Sequence, residues 1–410
     1  MWQAVLDRML RTLMRGSGLV VHYPDGRVGR YGEGGPMVPA IRLRDADTIR
    51  RIVLFPQLAF GEAYMDGGLT IEGDDLHALM RTIILSTGAT RPTAWLEARR
   101  VVERGLRRFG QINPVPRAKA NVQRHYDLPP RLYDLFLDED RQYSCAYFLS
   151  PDDSLEQAQA QKKAHIARKL LLEPGMTVLD IGCGWGGLAL TLARDHGARV
   201  VGVTLSEEQL AVARRRAEAA GLADRVEFRL QDYREVTEVF DRVVSVGMFE
   251  HVGLPNYDAY FEAVRDRLGP DGVALIHTIG RVATPEATSP WIAKYIFPGG
   301  YVPTLSEVAP AIERSRLWIA DIESLRLHYA MTLRAWYDRF TERQAEAEAI
   351  NDARFVRMWK FYLVASEQTF RYGRQNVYQF QLSRTVDAVP ITRDYLYADR
   401  VAGAARQAAE

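Results

Sequence analysis

The stretch Val178-Leu-Asp180-Ile-Gly182-Cys-Gly184-Trp-Gly186-Gly187 sets one carboxylate and four glycines behind a short apolar run, the composition of a strand that breaks into a ligand-binding turn. Glycines there let the backbone turn tightly and approach a ligand at the switch point of a parallel sheet. Taken alone, Gly182, Gly184 and Gly187 also fit a dinucleotide fingerprint. A nicotinamide or flavin site wants an acidic residue about 20 positions further on, at the end of the second strand. That strand ends Gly202-Val-Thr-Leu-Ser206 and offers no acid. Asp180 suits instead a cofactor that carries a cationic sulfonium and an amino-acid moiety.

The loop resembles the D-x-G-x-G-x-G turn of class I S-adenosylmethionine methyltransferases, and the surrounding elements have the alternation such a site needs. Ser154-Leu-Glu-Gln157 is a capping box opening a helix that stops before Pro174-Gly175. Strands are predicted at Thr177–Ile181, Arg199–Thr204, Val226–Leu230, Arg242–Gly247 and Val273–Ile279, with a helix over Glu207–Ala220 among the segments between them and a final, antiparallel strand at Asn376–Arg384. Strand and helix alternating at this spacing imply a parallel sheet covered on both faces. Thr204, Ser206 and Gln209 close the second strand, where a ribose and methionine tail would lie, although Ser206 and Gln209 also read as a capping box. Gln231 and Asp232 close the third, where such folds hold the adenine.

Composition narrows the rest. The 410 residues allow two or three domains, and 53 Lys+Arg against 52 Asp+Glu do not describe a nucleic-acid binder. Two cysteines, outside any C-x-x-C pair, imply neither a disulfide framework nor a zinc site, so no metal is expected and a reducing cytosol is the simplest compartment. The longest charge-free run, Ile181–Ala193, is 13 residues, short of the ~20 that cross a bilayer. Apolar residues from Trp2 to Met14 recur at helical spacing, with a cationic opposite face. Such a helix packs on its own domain or lies on an anionic membrane. Between Arg91 and Arg124 nine basic residues face two acidic ones, a candidate linker with attraction for lipid headgroups. Arg281 to Gly373 is rich in aromatics, which on helices are more often core than a binding box, and the segment also reads as a lid or substrate channel, with Phe297-Pro-Gly-Gly300 as a hinge or rim loop.

Several ordered strings together resemble the cyclopropane-fatty-acid-phospholipid synthase family and its mycolic acid relatives. They are His125-Tyr-Asp-Leu128, Gln142-Tyr-Ser-Cys-Ala-Tyr-Phe148, Asp180–Gly187, Val201–Ser206, Val244–Gly253, Leu275-Ile-His-Thr-Ile-Gly280 and Trp291–Pro298. The resemblance runs from about Asn121 to Arg384, and residues 1–110 resemble the front domain of the phospholipid enzymes. It implies an α/β fold with a mostly parallel, Rossmann-like seven-stranded sheet and a smaller α+β domain. The boundaries are 1–112 for a lipid-associated front domain and 113–410 for a catalytic domain with an insertion at 281–373.

The implied chemistry is methylene transfer from S-adenosylmethionine to a cis double bond of a phospholipid acyl chain, through a carbocation deprotonated by bound bicarbonate. The implied bicarbonate ligands are Cys145, Glu250, His277, the backbone N–H of Ile279, and Tyr329. Tyr143, Ser144, Asp180, Gly182, Gly184, Gly186, Thr204, Ser206, Gln209, Gln231 and Asp232 are the implied cofactor residues. A cytoplasmic homodimer in transient contact with the membrane is expected. The alternatives are a C-methylase giving a methylene- or methyl-branched chain, a small-molecule N-methyltransferase, and a non-catalytic lipid-binding protein.

Overall fold

The computed structural model describes residues 1–14, 17–32, 38–89 and 129–397. The 112/113 boundary, the basic Arg91–Arg124 segment and His125-Tyr-Asp-Leu128 lie outside these residues.

The front domain has a four-stranded sheet in the order β2-β1-β3-β4, with β1 Leu19–His22, β2 Val28–Tyr31, β3 Ala40–Leu43 and β4 Leu69–Ile71. Helices Trp2–Leu13, Ala46–Leu54, Pro56–Met65 and Leu76–Ala89 accompany it, so this domain is α+β. Asp45 starts the second helix by accepting the Thr48 N–H at 2.8 Å.

The larger sheet has seven strands in the order β10-β11-β9-β8-β5-β6-β7. Strands β5 Thr177–Ile181, β6 Arg199–Thr204, β7 Val226–Leu230, β8 Phe240–Val246 and β9 Leu268–Arg281 are parallel, while β11 Gln375–Ser383 runs antiparallel to both β9 and β10 Trp318–Ser324. This is the class I methyltransferase arrangement, and its first three strands have the predicted limits. The reciprocal box at Ser154 and Gln157 opens helix Leu155–Lys169.

The segment 281–373 is not one insertion. It contains helix Leu305–Arg314 and β10, which complete the sheet. β10 escaped sequence reading because Asp321 alone of its residues is buried, so no apolar alternation marks it. Its acids are held by cations: Lys169 Nζ lies 2.7 Å from Glu323 and 3.4 Å from Asp321, and Arg393 lies 2.6 Å from Asp321.

The aromatics of helices His328–Glu342 and Ala353–Tyr372 join the front domain in one continuous core that runs from Leu6 and Val21 through Leu79 to Trp336, Phe340 and Trp359. Helix Pro290–Tyr295 meets helix Pro56–Met65 closely: a Cβ at Gly61 would stand 2.5 Å from the Trp291 indole nitrogen. The buried Glu62 carboxylate beside it accepts from Lys294 at 2.7 Å, Tyr295 at 2.8 Å and Arg51 at 2.5 Å. Such a shared core unfolds cooperatively. Calorimetry is expected to give a single transition, and Trp359→Ala to cost about 3–5 kcal/mol in denaturant unfolding through the cavity it leaves. Two separate transitions would contradict the shared core.

Candidate active site

The glycine turn after β5 lies at the carboxyl ends of the parallel strands, where such sheets bind ligands. Gly182 takes φ +83°, and a Cβ there would stand 2.9 Å from Met248. Gly184 takes φ +54° over open space, leaving its backbone accessible. Around this turn a cleft is lined by nine of the residues expected to hold the cofactor: Tyr143, Ser144, Asp180, Gly182, Gly184, Thr204, Gln209, Gln231 and Asp232.

Two expected cofactor residues do not line it. Gly186 is structural, since a Cβ there would stand 2.6 Å from the Phe228 ring. Ser206 caps helix Glu207–Ala219 by accepting the Gln209 N–H at 3.2 Å. Gln209 does not close a reciprocal box, because its side-chain oxygen accepts instead from Thr204 at 2.9 Å. Asp232 borders the cleft with its carboxylate held by Arg234 at 2.7 and 2.8 Å.

Asp180 is buried, and its Oδ2 has no hydrogen-bond partner. Burial pushes its pKa up to about 7, against the pull of Lys162. A buried acceptor on a cleft wall, with open glycine backbone beside it, fits a ligand that brings a cationic donor.

Lys162 was not anticipated. It is fully buried on helix Leu155–Lys169 and donates to Gln142 Oε1 at 2.7 Å and Ser144 Oγ at 2.8 Å. Desolvation lowers its pKa to about 8. A lysine among others on a predicted helix carries no signal that it points inward.

A second cavity, about 670 Å³, is lined by Cys145, Glu250, His277, Ile279 and Tyr329 together. It shares Tyr143, Ser144, Gly247 and His251 with the first, so the two meet at these residues. Glu250 sits in a single turn after β8, and its Oε1 accepts the Ile279 N–H at 2.7 Å. That amide is therefore engaged by Glu250, not left open to an anion as the resemblance implied. Glu250 Oε2 is buried without a partner, and desolvation raises the carboxyl pKa to about 7.

On β9, His277 follows the same inward alternation as Ile279. The Gln379 amide nitrogen stands 3.1 Å from His277 Nδ1. An amide N–H only donates, so Nδ1 accepts and the ring proton sits on Nε2. Burial pushes this imidazole down to about 3 and His251 down to about 4, so both rings are neutral. Burial also pushes the Cys145 thiol up, keeping its proton on sulfur. The buried Tyr329 ring lies 4.9 Å from Phe370 and 5.8 Å from Trp336. The set thus combines neutral donors with one basic oxygen pair. Among the described residues no group of three or more His, Cys, Asp or Glu could hold a metal ion, and no helix is long and apolar enough to cross a membrane.

Residues 115–380 match the family described as mycolic acid cyclopropane synthetase. The chain belongs to this family. Residues 5–90 match a domain of unknown function. The chain is 40% identical over 349 residues to the cyclopropane-fatty-acyl-phospholipid synthase of Escherichia coli K12, covering 85% of this chain and 88% of that one. It is 36% identical over 400 residues to the tuberculostearic acid methyltransferase UfaA1 of Mycobacterium tuberculosis, covering 93% and 91%. The solved cyclopropane synthase MmaA2 of Mycobacterium tuberculosis superposes with a TM-score of 0.62 at 35% identity, covering 66% of this chain and 99% of that one. The family and the fold make this chain an S-adenosylmethionine-dependent methyltransferase.

Asp180 yields a prediction with two readouts. The folded protein keeps a proton on it, between the ordinary carboxylate range and about 7, that the unfolded chain has lost. Stability of the ligand-free protein therefore falls as pH rises through that window. Above neutral pH, ligand-free Asp180→Asn is expected to melt higher than the parent, while its S-adenosylmethionine Kd weakens at least about tenfold, the worth of a charge-assisted hydrogen bond. Thermal melts and titration calorimetry check both. A variant binding as tightly as the parent would remove Asp180 from the cofactor site.

Proposed function

We propose that the protein transfers a methylene group from S-adenosylmethionine to a cis double bond of an unsaturated phospholipid acyl chain, closing a cyclopropane ring. The observation that carries this reading is the apolar cavity meeting the cofactor cleft, with a small polar cluster at the junction. Bound S-adenosylmethionine would supply an electrophilic methyl group. Asp180 and the open backbone of Gly184 would hold it in the cleft, and Tyr143, Ser144, Gly247 and His251 would frame the passage to the acyl chain.

Attack by an alkene on a methyl cation equivalent leaves a carbocation on the chain, so the residues around it must not be cationic. His277 and His251 meet that requirement as neutral rings, and the Lys162 ammonium is turned onto Gln142 and Ser144. Tyr329, Phe361, Tyr362 and Phe370 line the same cavity, and an aromatic face turned to a passing cation would stabilise it.

Ring closure then needs one proton removed from the new methyl group. Bicarbonate would supply a small base that fits among the donors. In that arrangement the His277 Nε2–H and the Tyr329 hydroxyl would donate, the Cys145 thiol would join them by turning from the Ala146 carbonyl to which it donates at 3.3 Å, and Glu250 Oε2 would accept the anion's own O–H. Ile279 contributes by fixing Glu250 through its amide rather than by touching the anion.

The methylase reading stays the second one, and the similarity to a tuberculostearic acid methyltransferase over nearly the whole chain favours it. The unpartnered, basic Glu250 oxygen beside the junction favours deprotonation in place and hence the ring. Docking on a membrane from the cytoplasmic side and homodimer formation belong to the same proposal.

The test is the product formed on unsaturated phospholipid vesicles with S-adenosylmethionine, read by mass spectrometry and NMR, with and without bicarbonate. A cyclopropane whose rate rises with bicarbonate is expected. An exocyclic methylene or a methyl branch would decide for the methylase. Glu250→Gln is expected to lower kcat by about a hundredfold or more, the scale of general-base catalysis, because the bicarbonate loses the carboxylate that accepts its O–H and raises its basicity, while the cofactor Kd is kept. Retained turnover would exclude the proposed role of Glu250.

A further inference from the structure

The cavity that holds the reacting residues does not stop at the catalytic domain. It continues between the front-domain sheet and its helices, where Leu6, Leu19, Val21, Ile41 and Leu43 line it and are themselves almost wholly buried. Of the front-domain residues along the cavity, Gln57 and Thr87 are the polar ones, and both are exposed. Charged and hydroxyl-bearing lining lies instead on the catalytic domain, among it Arg281 at the end of β9, Glu286, Thr288 and Ser289 on the loop that follows, and Ser366 and Thr369 on helix Ala353–Tyr372. The cavity thus has an apolar arm in the front domain and carries its polar groups on the catalytic-domain walls, Cys145, Glu250, His277 and Tyr329 among them.

A lipid chain has a polar end and an apolar end. Burying a headgroup among leucines, valine and isoleucine without partners would cost several kcal/mol. The methyl end of a chain has no such cost and gains from leaving water. We infer that the front domain is the ruler of this enzyme: it receives the acyl chain beyond the reacting double bond, so that specificity follows the distance from double bond to methyl end. This rests on the acyl-chain reading of the site and adds to it the substrate feature that is measured.

Interior packing is near crystalline density, so a wall side chain that grows by several carbons shortens the arm. A hydrophobic pocket discriminates a single methylene about tenfold or more. The experiment uses the full chain on phospholipid vesicles whose equal-length cis-monounsaturated chains carry the double bond near the ester, midway, or near the methyl end, offered in competition. For the parent protein, turnover is expected to depend on the number of carbons beyond the double bond, and to stay with that number when the chain is lengthened on the ester side.

Val21→Phe, which fills the arm, is expected to shift preference at least about tenfold toward short methyl ends. Ile41→Ala, which enlarges it, should shift preference the other way. Cofactor affinity should be the same in both. Preference that tracks the carboxyl side in the parent, or variants that lose all isomers equally while still binding cofactor, would overturn the ruler. Should either variant fail to fold, the parent's own isomer and length series decides between the two outcomes. If the parent forms no modified chain from any isomer, the acyl-chain reading itself fails, a result distinct from an unchanged selectivity.

Discussion

Glu250 sits in the turn that follows β8 and accepts the amide of Ile279 on neighbouring β9. Two adjacent parallel strands thereby present their ends to one carboxylate, which is buried and half satisfied. Much of the site depends on that arrangement. The engaged oxygen fixes the side chain, and the open one keeps a basicity that an exposed glutamate lacks. Burial of the same pocket holds both histidines neutral and the Cys145 thiol protonated. A single physical cause, exclusion of water, thus sets a basic carboxylate, several donors and two uncharged imidazoles around one junction.

Lys162 supports the neighbouring loop from behind. By donating to Gln142, which borders the first cavity, and to Ser144, which borders both, it orders the loop, although it is on the lining of neither. Asp140 is held in a similar way, by Lys163 at 2.5 Å and by Arg216, which also donates to the Trp185 carbonyl at 2.9 Å. The loop that carries Tyr143, Ser144 and Cys145 is therefore fixed by cations on two helices of the Rossmann-like domain, which is how a segment without regular structure can carry groups that need fixed positions.

The sequence made the central strands legible because β5 and β6 are largely apolar runs closed by glycine or by a helix cap and β7 alternates apolar with charged residues, and those signals are local. Ser206 offered two readings, a helix cap and a cofactor contact, because one residue type serves both, and Gly186 shows the same ambiguity between close packing and ligand approach. β10 was invisible because an edge strand rich in acids has no alternating pattern. The front domain's share of the cavity was also invisible. Leu6, Val21, Ile41 and Met80 are far apart in sequence and read as ordinary core residues, and only the fold shows that they leave space between them.

The charged edge strand has a consequence for the life of the molecule in a crowded cell. β10 is the outer strand of a long sheet, and an unpaired strand edge is a template on which another chain can add. Here Asp321 and Glu323, with Lys169 and Arg393 drawn onto them, put charge on the strand to which an incoming chain would have to add. The acids that hid this strand from sequence reading are also what keep it from becoming an adhesive surface, so a protein that must hold a large greasy cavity open need not aggregate through its sheet.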